Sequence, residues 1–207
     1  PFDGDGMVHG VYFNGGQASY SNRWIQTEAL LGERENGRSI SPGVMGPFDY
    51  AISEFGIKDT SNTDLLFHGG QLISLWYNAG NPCALSGQSL DTIGPYAIPG
   101  RRHRRLSAHS KVDWATGELL FFDYGDEPPY MTYGVADSHG RLLHEVAIDL
   151  PGPRPHDPFV VKAVDVLELR ADIDLSQPEL LALLNIESDQ IGVPLRRGQL
   201  QRLVEAR

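Results

Sequence analysis

The chain has 207 residues, 41% of them apolar and 21% charged, with 23 glycines and 14 prolines. This composition is typical of a turn-rich globular protein with one sizeable core and argues against a disordered chain. The formal net charge of −10 at pH 7 argues against a nucleic-acid partner, because binding phosphates requires a basic face. The basic cluster at residues 101–105 is expected to be a solvated loop.

The cysteine and apolar content bears on the compartment. Cys83 is the only cysteine, so an internal disulfide is impossible and nothing in the sequence requires an oxidising compartment. No apolar run approaches the roughly 20 residues of a membrane span, and no signal peptide is visible. We therefore predict a cytoplasmic protein. Because the chain begins with Pro1 instead of methionine, we expect it to be a processed or incomplete piece.

The opening stretch PFDGDGMVHGVYF contains an acidic run that invites a calcium interpretation. If an EF-hand loop began at Asp3, Met7 would occupy its fifth position, Val8 its glycine and Asn14 its bidentate glutamate. These residues do not satisfy the loop. The stretch instead predicts a Gly/Asp-rich turn that leads into a β-strand.

A strand, a short turn and a second strand follow one another four times. The four stretches are GMVHGVYF-NGG-QASYSNRWIQ, TDLLF-HGG-QLISLWY, KVDW-ATG-ELLFFDYG and YMTYGVAD-SHG-RLLHEVAID. Glycines at their tips allow the positive φ that tight hairpins require. Consecutive hairpins predict an antiparallel meander, as in a propeller or a large barrel. Residues 29–58 and 86–106, rich in Gly, Pro and Ser, are predicted to be long connections.

The pattern changes after about Asp174. The stretch SQPELLALLNIE carries a capping box, Ser176 with Glu179, and a proline in its first turn. The stretch RRGQLQRLVEAR is typical of a second short helix. We therefore predict a partly helical tail that does not continue the β-hairpins.

Seven histidines are candidate metal ligands. Five of them lie on hairpin tips, on strands or among arginines, and we expect structural or solvent-facing roles for these: His9, His68, His103, His139 and His144. His109 precedes a predicted strand, and His156 follows a proline-braced segment. Such bracing holds a ligand still, but it also suits a plain connection. Because the two are 47 residues apart, they match no local zinc pattern, and the residues alone leave metal binding open.

Other catalytic patterns are weak. The stretch LSGQS lies in a polar loop and lacks the strand-to-helix turn of a nucleophile elbow. Asp126 and Glu127 lie beside two prolines, where exposed acids are expected. FNGG and HGG are hairpin tips without a following helix, so they do not predict a phosphate site.

Four stretches, in chain order, together resemble one family. FDGDGMVHGVYFNGGQASYSNRWIQT resembles its opening motif, and KDTSNTDLLFHGGQLISLW resembles its N-T-N segment with the following G-x-L hairpin. SAHSKVDWATGELLFFDYG resembles its A-H-P-K-x-D-x-x-T-G-E motif, and PPYMTYGVADSHGRLL with LPGPRPHDPF resembles the run up to its H-D motif. This family is the carotenoid cleavage oxygenases, which include bacterial lignostilbene dioxygenases. The resemblance covers about residues 1–159.

The resemblance implies an all-β fold and an activity. Residues 1–159 would form a partial seven-bladed β-propeller of about three blades of antiparallel hairpins, followed by a divergent, partly helical tail over 160–207. The activity would be that of a non-haem Fe(II) dioxygenase, which uses O₂ to cleave a conjugated carbon–carbon double bond into two carbonyl products. Of the family's four iron-binding histidines, the first falls on His109 and the second on His156. Neutral imidazoles suit a borderline divalent metal and leave positions for O₂.

The chain also departs from the family pattern. Tyr77 stands where the family commonly has a glutamate that orients a ligand, and Ser110 replaces a proline. The third and fourth iron ligands lie downstream in the family, whereas no histidine follows His156 here. Family chains also extend upstream of the opening motif. We therefore expect an incomplete oxygenase that is inactive in isolation.

Two functions stay open at this point: part of an iron-dependent oxygenase, or an inactive partial propeller that acts as a binding module. A third hypothesis, a calcium-dependent propeller hydrolase, is supported only by the acidic turns and is disfavoured. A carotenoid substrate would call for an apolar tunnel and peripheral membrane contact, whereas a phenolic stilbene would call for polar groups, and the opening stretch slightly favours the stilbene. Five aromatic residues could line a tunnel, although a place in the core is expected more often: Trp76, Tyr77, Tyr130, Tyr133 and Phe159.

Overall fold

The computed structural model describes residues 3–43, 46–51, 56–77, 80–125, 127–148 and 152–153. This part of the chain contains ten strands and one helix, and the strands form three antiparallel sheets. The elements are β1 Met7–Asn14, β2 Gln17–Trp24, α1 Glu28–Asn36, β3 Asp64–His68, β4 Gln71–Leu75, β5 Cys83–Leu85, β6 Thr92–Pro95, β7 Lys111–Val112, β8 Leu119–Tyr124, β9 Met131–Ala136 and β10 Leu142–Ile148.

The chain divides into two compact units. The first comprises Pro1–Ala97 and His103–Ala108 and contains β1 to β6 with α1. The second comprises Ile98–Arg102 and the residues from His109 onward, and it contains β7 to β10.

The first unit contains a two-stranded hairpin and a four-stranded sheet. The β1–β2 hairpin turns at Gly15 and Gly16, whose φ values are 56° and 78°. Strands β3 to β6 follow one another across the sheet, and the β3–β4 hairpin turns at Gly69 and Gly70, with φ values of 56° and 80°. Both predicted hairpins are confirmed. One core cluster joins the hairpin to the sheet: Val8, Ile25, Cys83, Leu85 and Leu90.

The helix α1 lies where we predict a long connection over residues 29–58, so that prediction is wrong for its first part. Thr27 caps the helix, because its Oγ1 accepts a hydrogen bond from the N–H of Leu30 at 3.1 Å. Gly37 ends it in the left-handed conformation, with φ of 64°. Leu30 is the helix's one buried residue, so the sequence lacks the apolar periodicity that would predict a helix here.

The prediction of a long connection over residues 86–106 is wrong in part, because this range contains strand β6. Thr92–Pro95 pairs with β5 and becomes the fourth strand of the sheet. Gly94 and Pro95 hide this strand in the sequence, because both residue types are depleted in strands.

The second unit is one four-stranded meander in the order β7, β8, β9, β10. Its two hairpins are the ones predicted from the sequence. All six residues of β8 are buried, and the Phe121 ring lies so close to Gly134 of β9 that a β-carbon there would overlap it. The centre of this sheet is therefore packed without spare room.

Several predictions fall outside the described residues. They concern His156, Phe159, the capping box at Ser176 and the helical tail over 160–207. Among the residues that the structure describes, no helix is long and apolar enough to cross a membrane. Two four-stranded sheets and one hairpin agree with the predicted β-meander of about three blades.

Candidate functional site

The backbone leading into His109 is fixed by hydrogen bonds to the end of β4. The N–H of Ala108 donates to the carbonyl of Trp76 at 3.0 Å, and Ser107 forms an isolated parallel bridge with Trp76. The N–H of Leu106 donates to the carbonyl of Gly80 at 3.1 Å. Leu106, Ser107 and Ala108 are all at most 1% exposed. The backbone up to Ala108 is therefore held in place within the first unit.

His109 itself is half-buried and has a left-handed backbone, with φ of 70°. The next residue, Ser110, is buried, and the chain then enters β7, where Lys111 pairs with Leu120 of β8. The predicted placement of His109 just before a strand is confirmed. Few non-glycine residues adopt positive φ, although histidine does so more readily than most.

The polar residues that follow His109 in the motif shape the β7–β8 turn. The N–H of Asp113 donates to the carbonyl of Glu118 at 2.8 Å, and its Oδ1 accepts from the N–H of Ala115 at 2.8 Å. Gly117 closes the turn at φ of 75°. Trp114 is 93% exposed at the tip. This part of the motif is thus explained by hairpin geometry.

The segment around Ser61 ties the opening stretch to the first sheet. The N–H of Gly6 donates to the carbonyl of Thr60 at 2.8 Å, and the Asn62 side chain donates to the carbonyl of Gly4 at 2.7 Å. A β-carbon at Gly6 would overlap the carbonyl oxygen of Ser61. The Gly/Asp-rich opening is therefore a packed structural turn.

Tyr77 is the residue that the resemblance predicts to stand in place of a glutamate that orients a ligand. It is half-buried, its ring meets the Trp76 ring edge-on at 5.2 Å between centroids, and its N–H donates to Thr63 Oγ1 at 2.9 Å. Burial, and then the charge of Asp3, raise the pKa of Tyr77. Near neutral pH this residue is therefore a neutral phenol, which cannot supply the negative charge of a carboxylate.

The histidines expected to be structural or solvent-facing have ordinary surroundings. His9 Nδ1 lies 2.6 Å from the Tyr20 hydroxyl, and His68 is 3% exposed with its Nδ1 3.5 Å from the Tyr96 hydroxyl. The other three are exposed: His103, His139 and His144. These positions agree with the expectation.

Two of the aromatic residues weighed for a tunnel lie in the core. Trp76 is 2% exposed and packs with Ile57, and Tyr133 is 3% exposed and packs with Leu120 and Val135. Their contacts account for them as packing residues. Phe159 lies outside the described residues.

The predicted solvated loop at residues 101–105 is wrong for Arg101. Its side chain is 1% exposed, pairs with Asp123 and Glu145, and lies with its guanidinium carbon 4.6 Å from the centroid of the Phe121 ring. No local pattern predicts this pairing, because the partners lie 22 and 44 residues further along the chain. Arg102, His103 and Arg104 are exposed, as predicted.

Only part of the predicted metal site lies among the described residues. They contain no group of three or more His, Cys, Asp or Glu that could hold a metal ion. Of the two predicted ligands, His109 is described and His156 is not. Imidazole is a suitable donor for iron, so the donor type fits, while the described residues supply one of the two predicted donors.

Meanders of four antiparallel strands are typical of the blades of a β-propeller, the class of protein that this fold indicates. Residues 1–162 match the family model of the retinal pigment epithelial membrane protein. The chain belongs to this family. The predicted recognition and the predicted all-β, partial-propeller fold are therefore confirmed.

Known relatives are similar over different shares of the chain. Isoeugenol monooxygenase from Pseudomonas nitroreducens is 29% identical over 95% of this chain and 43% of its own length. Carotenoid 9,10(9',10')-cleavage dioxygenase 1 from Phaseolus vulgaris is 33% identical over 73% of this chain and 31% of its own length. The crystal structure of lignostilbene dioxygenase from Pseudomonas brassicacearum superposes with a TM-score of 0.63 at 34% identity, covering 73% of this chain and 32% of that one. The chain thus spans less than half the length of these relatives.

Proposed function

We propose that this chain is part of a non-haem Fe(II)-dependent dioxygenase that uses O₂ to cleave a conjugated carbon–carbon double bond into two carbonyl products. The observation that carries the proposal is the position of His109. By the motif resemblance we assign His109 to the ligand position, and the backbone before it is held by hydrogen bonds from Ala108 to Trp76 and from Leu106 to Gly80. Relatives named for carotenoid and lignostilbene cleavage support the reaction class.

His109 and His156 would hold the iron, each through a neutral imidazole nitrogen. When bound, the iron would supply the activation of O₂. Two protein ligands bind a metal more weakly than a full set, so we propose that further ligands come from a part of the protein beyond this chain. The raised pKa of Tyr77 means that any imidazole beside it would meet a neutral partner.

The substrate is proposed to be a phenolic stilbene, with a carotenoid or apocarotenoid as the alternative. With a carotenoid, peripheral contact with a membrane surface is part of the proposal, because such a substrate is apolar. The cytoplasmic location stays a prediction.

The test is metal analysis of the purified 207-residue chain after anaerobic equilibrium dialysis against Fe(II), which keeps weakly bound metal in place. We expect weak binding that falls sharply in both His109→Ala and His156→Ala, and that is unchanged in His144→Ala, which removes an exposed histidine from β10. Equal iron content in all four proteins would refute the ligand assignment. Product formation from a hydroxystilbene or an apocarotenal by the chain alone would show that no further ligands are needed.

A second candidate function is an interaction module, and one face of the β1–β2 hairpin favours it. In the hairpin register Val11 lies opposite Tyr20 and Phe13 opposite Ala18, so these side chains share a face. Val11 is 57%, Phe13 81% and Tyr20 60% exposed. Apolar patches of this kind mark contact surfaces. Light scattering of the pure chain tests this reading, because a stable monomer at high concentration would contradict self-association through that face.

A further inference from the structure

Two asparagines of the chain precede a glycine: Asn14 at the tip of the β1–β2 hairpin and Asn36 at the end of α1. An asparagine in this position can react without an enzyme, because the following backbone nitrogen can attack the carbon of the side-chain amide. Glycine hinders this attack least, since it has no side chain and its backbone is conformationally permissive. The two asparagines share one intrinsic chemistry, so the fold decides which of them reacts.

The end of α1 holds both reacting groups of Asn36. The Nδ2 of Asn36 donates to the carbonyl of Gly32 at 2.8 Å, which keeps the amide against the helix. The nitrogen that would attack is that of Gly37, and its N–H donates to the carbonyl of Arg34 at 3.3 Å in the left-handed cap. Attack at Asn36 therefore requires the last turn of the helix to open first.

The tip of the β1–β2 hairpin leaves the corresponding groups of Asn14 open. The last pair of the register joins Asn14 to Gln17, so the N–H of Gly15 lies in the turn, beyond the strand pairing. Asn14 is exposed, and its side chain is hydrogen-bonded to none of the residues that the structure describes. A β-carbon built at Gly15 or Gly16 would meet nothing within 4 Å. A change in the backbone of this open tip is therefore enough to bring the two groups together.

We propose that Asn14 is a site of spontaneous deamidation in the folded chain, and that the fold protects Asn36 from the same reaction. The nitrogen of Gly15 forms a bond to Cγ of Asn14 and loses its proton, and the side-chain nitrogen leaves as ammonia, so that a cyclic imide closes. Water then opens the imide at either carbonyl and yields aspartate or isoaspartate. No oxidant or reductant takes part, and the proposal does not depend on the iron site.

The two products differ in their effect on the hairpin. Aspartate adds a charge but leaves the backbone unchanged, whereas isoaspartate carries the main chain through Cγ and so adds one carbon to it. The extra carbon disturbs the pairing of residue 14 with Gln17 and, next to it, of Phe13 with Ala18. Because a two-stranded hairpin is only marginally stable by itself, we expect isoaspartate to loosen the ends of β1 and β2.

The experiment follows the 207-residue chain during incubation in mildly alkaline water enriched in heavy oxygen, with and without urea. Trypsin cuts after arginine, so Asn14 and Asn36 fall on different peptides, residues 1–23 and 35–38. Mass spectrometry measures the conversion of amide to acid and the heavy oxygen gained from water at each site. In the native chain we expect Asn14 to react at least about tenfold faster than Asn36, because the two hydrogen bonds around Asn36 must break first. In urea the two rates should become similar.

Matched variants assign the reaction to its residue. Asn14→Gln should remove the product from peptide 1–23, since the larger imide ring closes far more slowly. Asn22→Gln should leave it unchanged, because Asn22 lies in the same peptide but precedes an arginine. If Asn36 reacts as fast as Asn14 in the native chain, the proposal is refuted. It is also refuted if urea accelerates Asn14 as strongly as Asn36, because the tip would then be as protected as the helix end.

Thermal unfolding tests the effect on the hairpin. Chain that has accumulated isoaspartate, measured by enzymatic methylation of that residue, should unfold at a lower temperature than fresh chain. Asn14→Asp, which has the charge without the extra carbon, should unfold as the fresh chain does. Equal unfolding temperatures for aged and fresh chain would refute the loosening of the hairpin, and an equal decrease in Asn14→Asp would assign the effect to the charge instead of the backbone.

Discussion

The guanidinium of Arg101 lies over the ring of Phe121, 4.6 Å from its centroid, and pairs on its other edges with Asp123 and Glu145. This arrangement attaches the short segment Ile98–Arg102 to two strands of the four-stranded sheet of the second unit, the central strand β8 and the edge strand β10. Arginine suits this position because its planar group can stack on a ring and pair with carboxylates at the same time.

Replacing Arg101 by methionine is expected to lower the free energy of unfolding by about 3 kcal/mol, because it leaves the Asp123 carboxylate buried without its cation. Arg101→Lys should recover only part of the loss, since an ammonium cannot stack on Phe121 as a guanidinium does. The measurement is urea unfolding. Arg102→Met serves as the control, because Arg102 is exposed and should change stability by less than about 0.5 kcal/mol. Equal effects at both positions would contradict the assignment.

Gly134→Ala, on β9 of the second unit's sheet, is expected to lower the free energy of unfolding by about 2 kcal/mol, although alanine normally stabilises a strand relative to glycine. The reason is overlap between the new methyl group and the Phe121 ring. Gly87→Ala is the matched control, since a β-carbon at Gly87 meets nothing within 4 Å. If the overlap is the cause, Phe121→Leu should lower the free energy of unfolding by less in the Gly134→Ala variant than in the parent chain. Additive effects of the two substitutions would contradict this explanation.

Lys58 gives the first unit a dependence on pH. Its ammonium lies 2.9 Å from the Asp5 carboxylate and 2.6 Å from the Glu33 carboxylate, and its side chain is 8% exposed. Burial by itself raises the pKa of Glu33, but hydrogen bonds from Lys58 and Ser39 outweigh it and hold the pKa below its ordinary value of 4.5. Folding is therefore favoured by the charged form of Glu33.

The stabilisation from Glu33 should be complete above pH 4.5 and be lost as the pH falls through its lower, folded-state pKa. Glu33→Gln should lower stability at pH 7 and flatten the decline of the unfolding free energy in acid. Urea unfolding between pH 7 and pH 3 checks both effects. If the unfolding free energy of the variant falls with decreasing pH as steeply as that of the parent, Glu33 does not contribute to this pH dependence.

The sequence predicted the four hairpins well, because each combines apolar strands with a glycine-containing tip, and tips such as Gly69–Gly70 adopt the positive φ that glycine allows. It did not predict α1, whose caps at Thr27 and Gly37 are regular but whose helix buries only Leu30. The role of Arg101 could not be predicted either, because its partners are distant in sequence and come together only when β8 and β10 both pair with β9. For the candidate site, the motif indicated His109, while nothing in the residue types indicated its left-handed backbone.

Cys83 is expected to be an unreactive thiol in the folded chain. It lies on β5, is 8% exposed and packs among Val8, Ile25 and Leu85. Burial, followed by the charge of Asp59, raises the pKa of the thiol from 9.0 to about 11. Because the thiolate is the nucleophile, the reactive fraction near pH 8 should fall by about 100-fold, and restricted access should slow the reaction further.

The measurement is the rate of thiol modification by a disulfide reagent at pH 8, with and without urea. We expect modification in the native chain to be at least about 100-fold slower than in the unfolded chain, and to accelerate across the same urea range as the unfolding transition. Leu85→Ala, which opens the packing around the thiol, should increase the native rate, whereas Leu143→Ala on the exposed side of β10 should not. A native rate close to the unfolded one would mean that the β5 core does not shield Cys83.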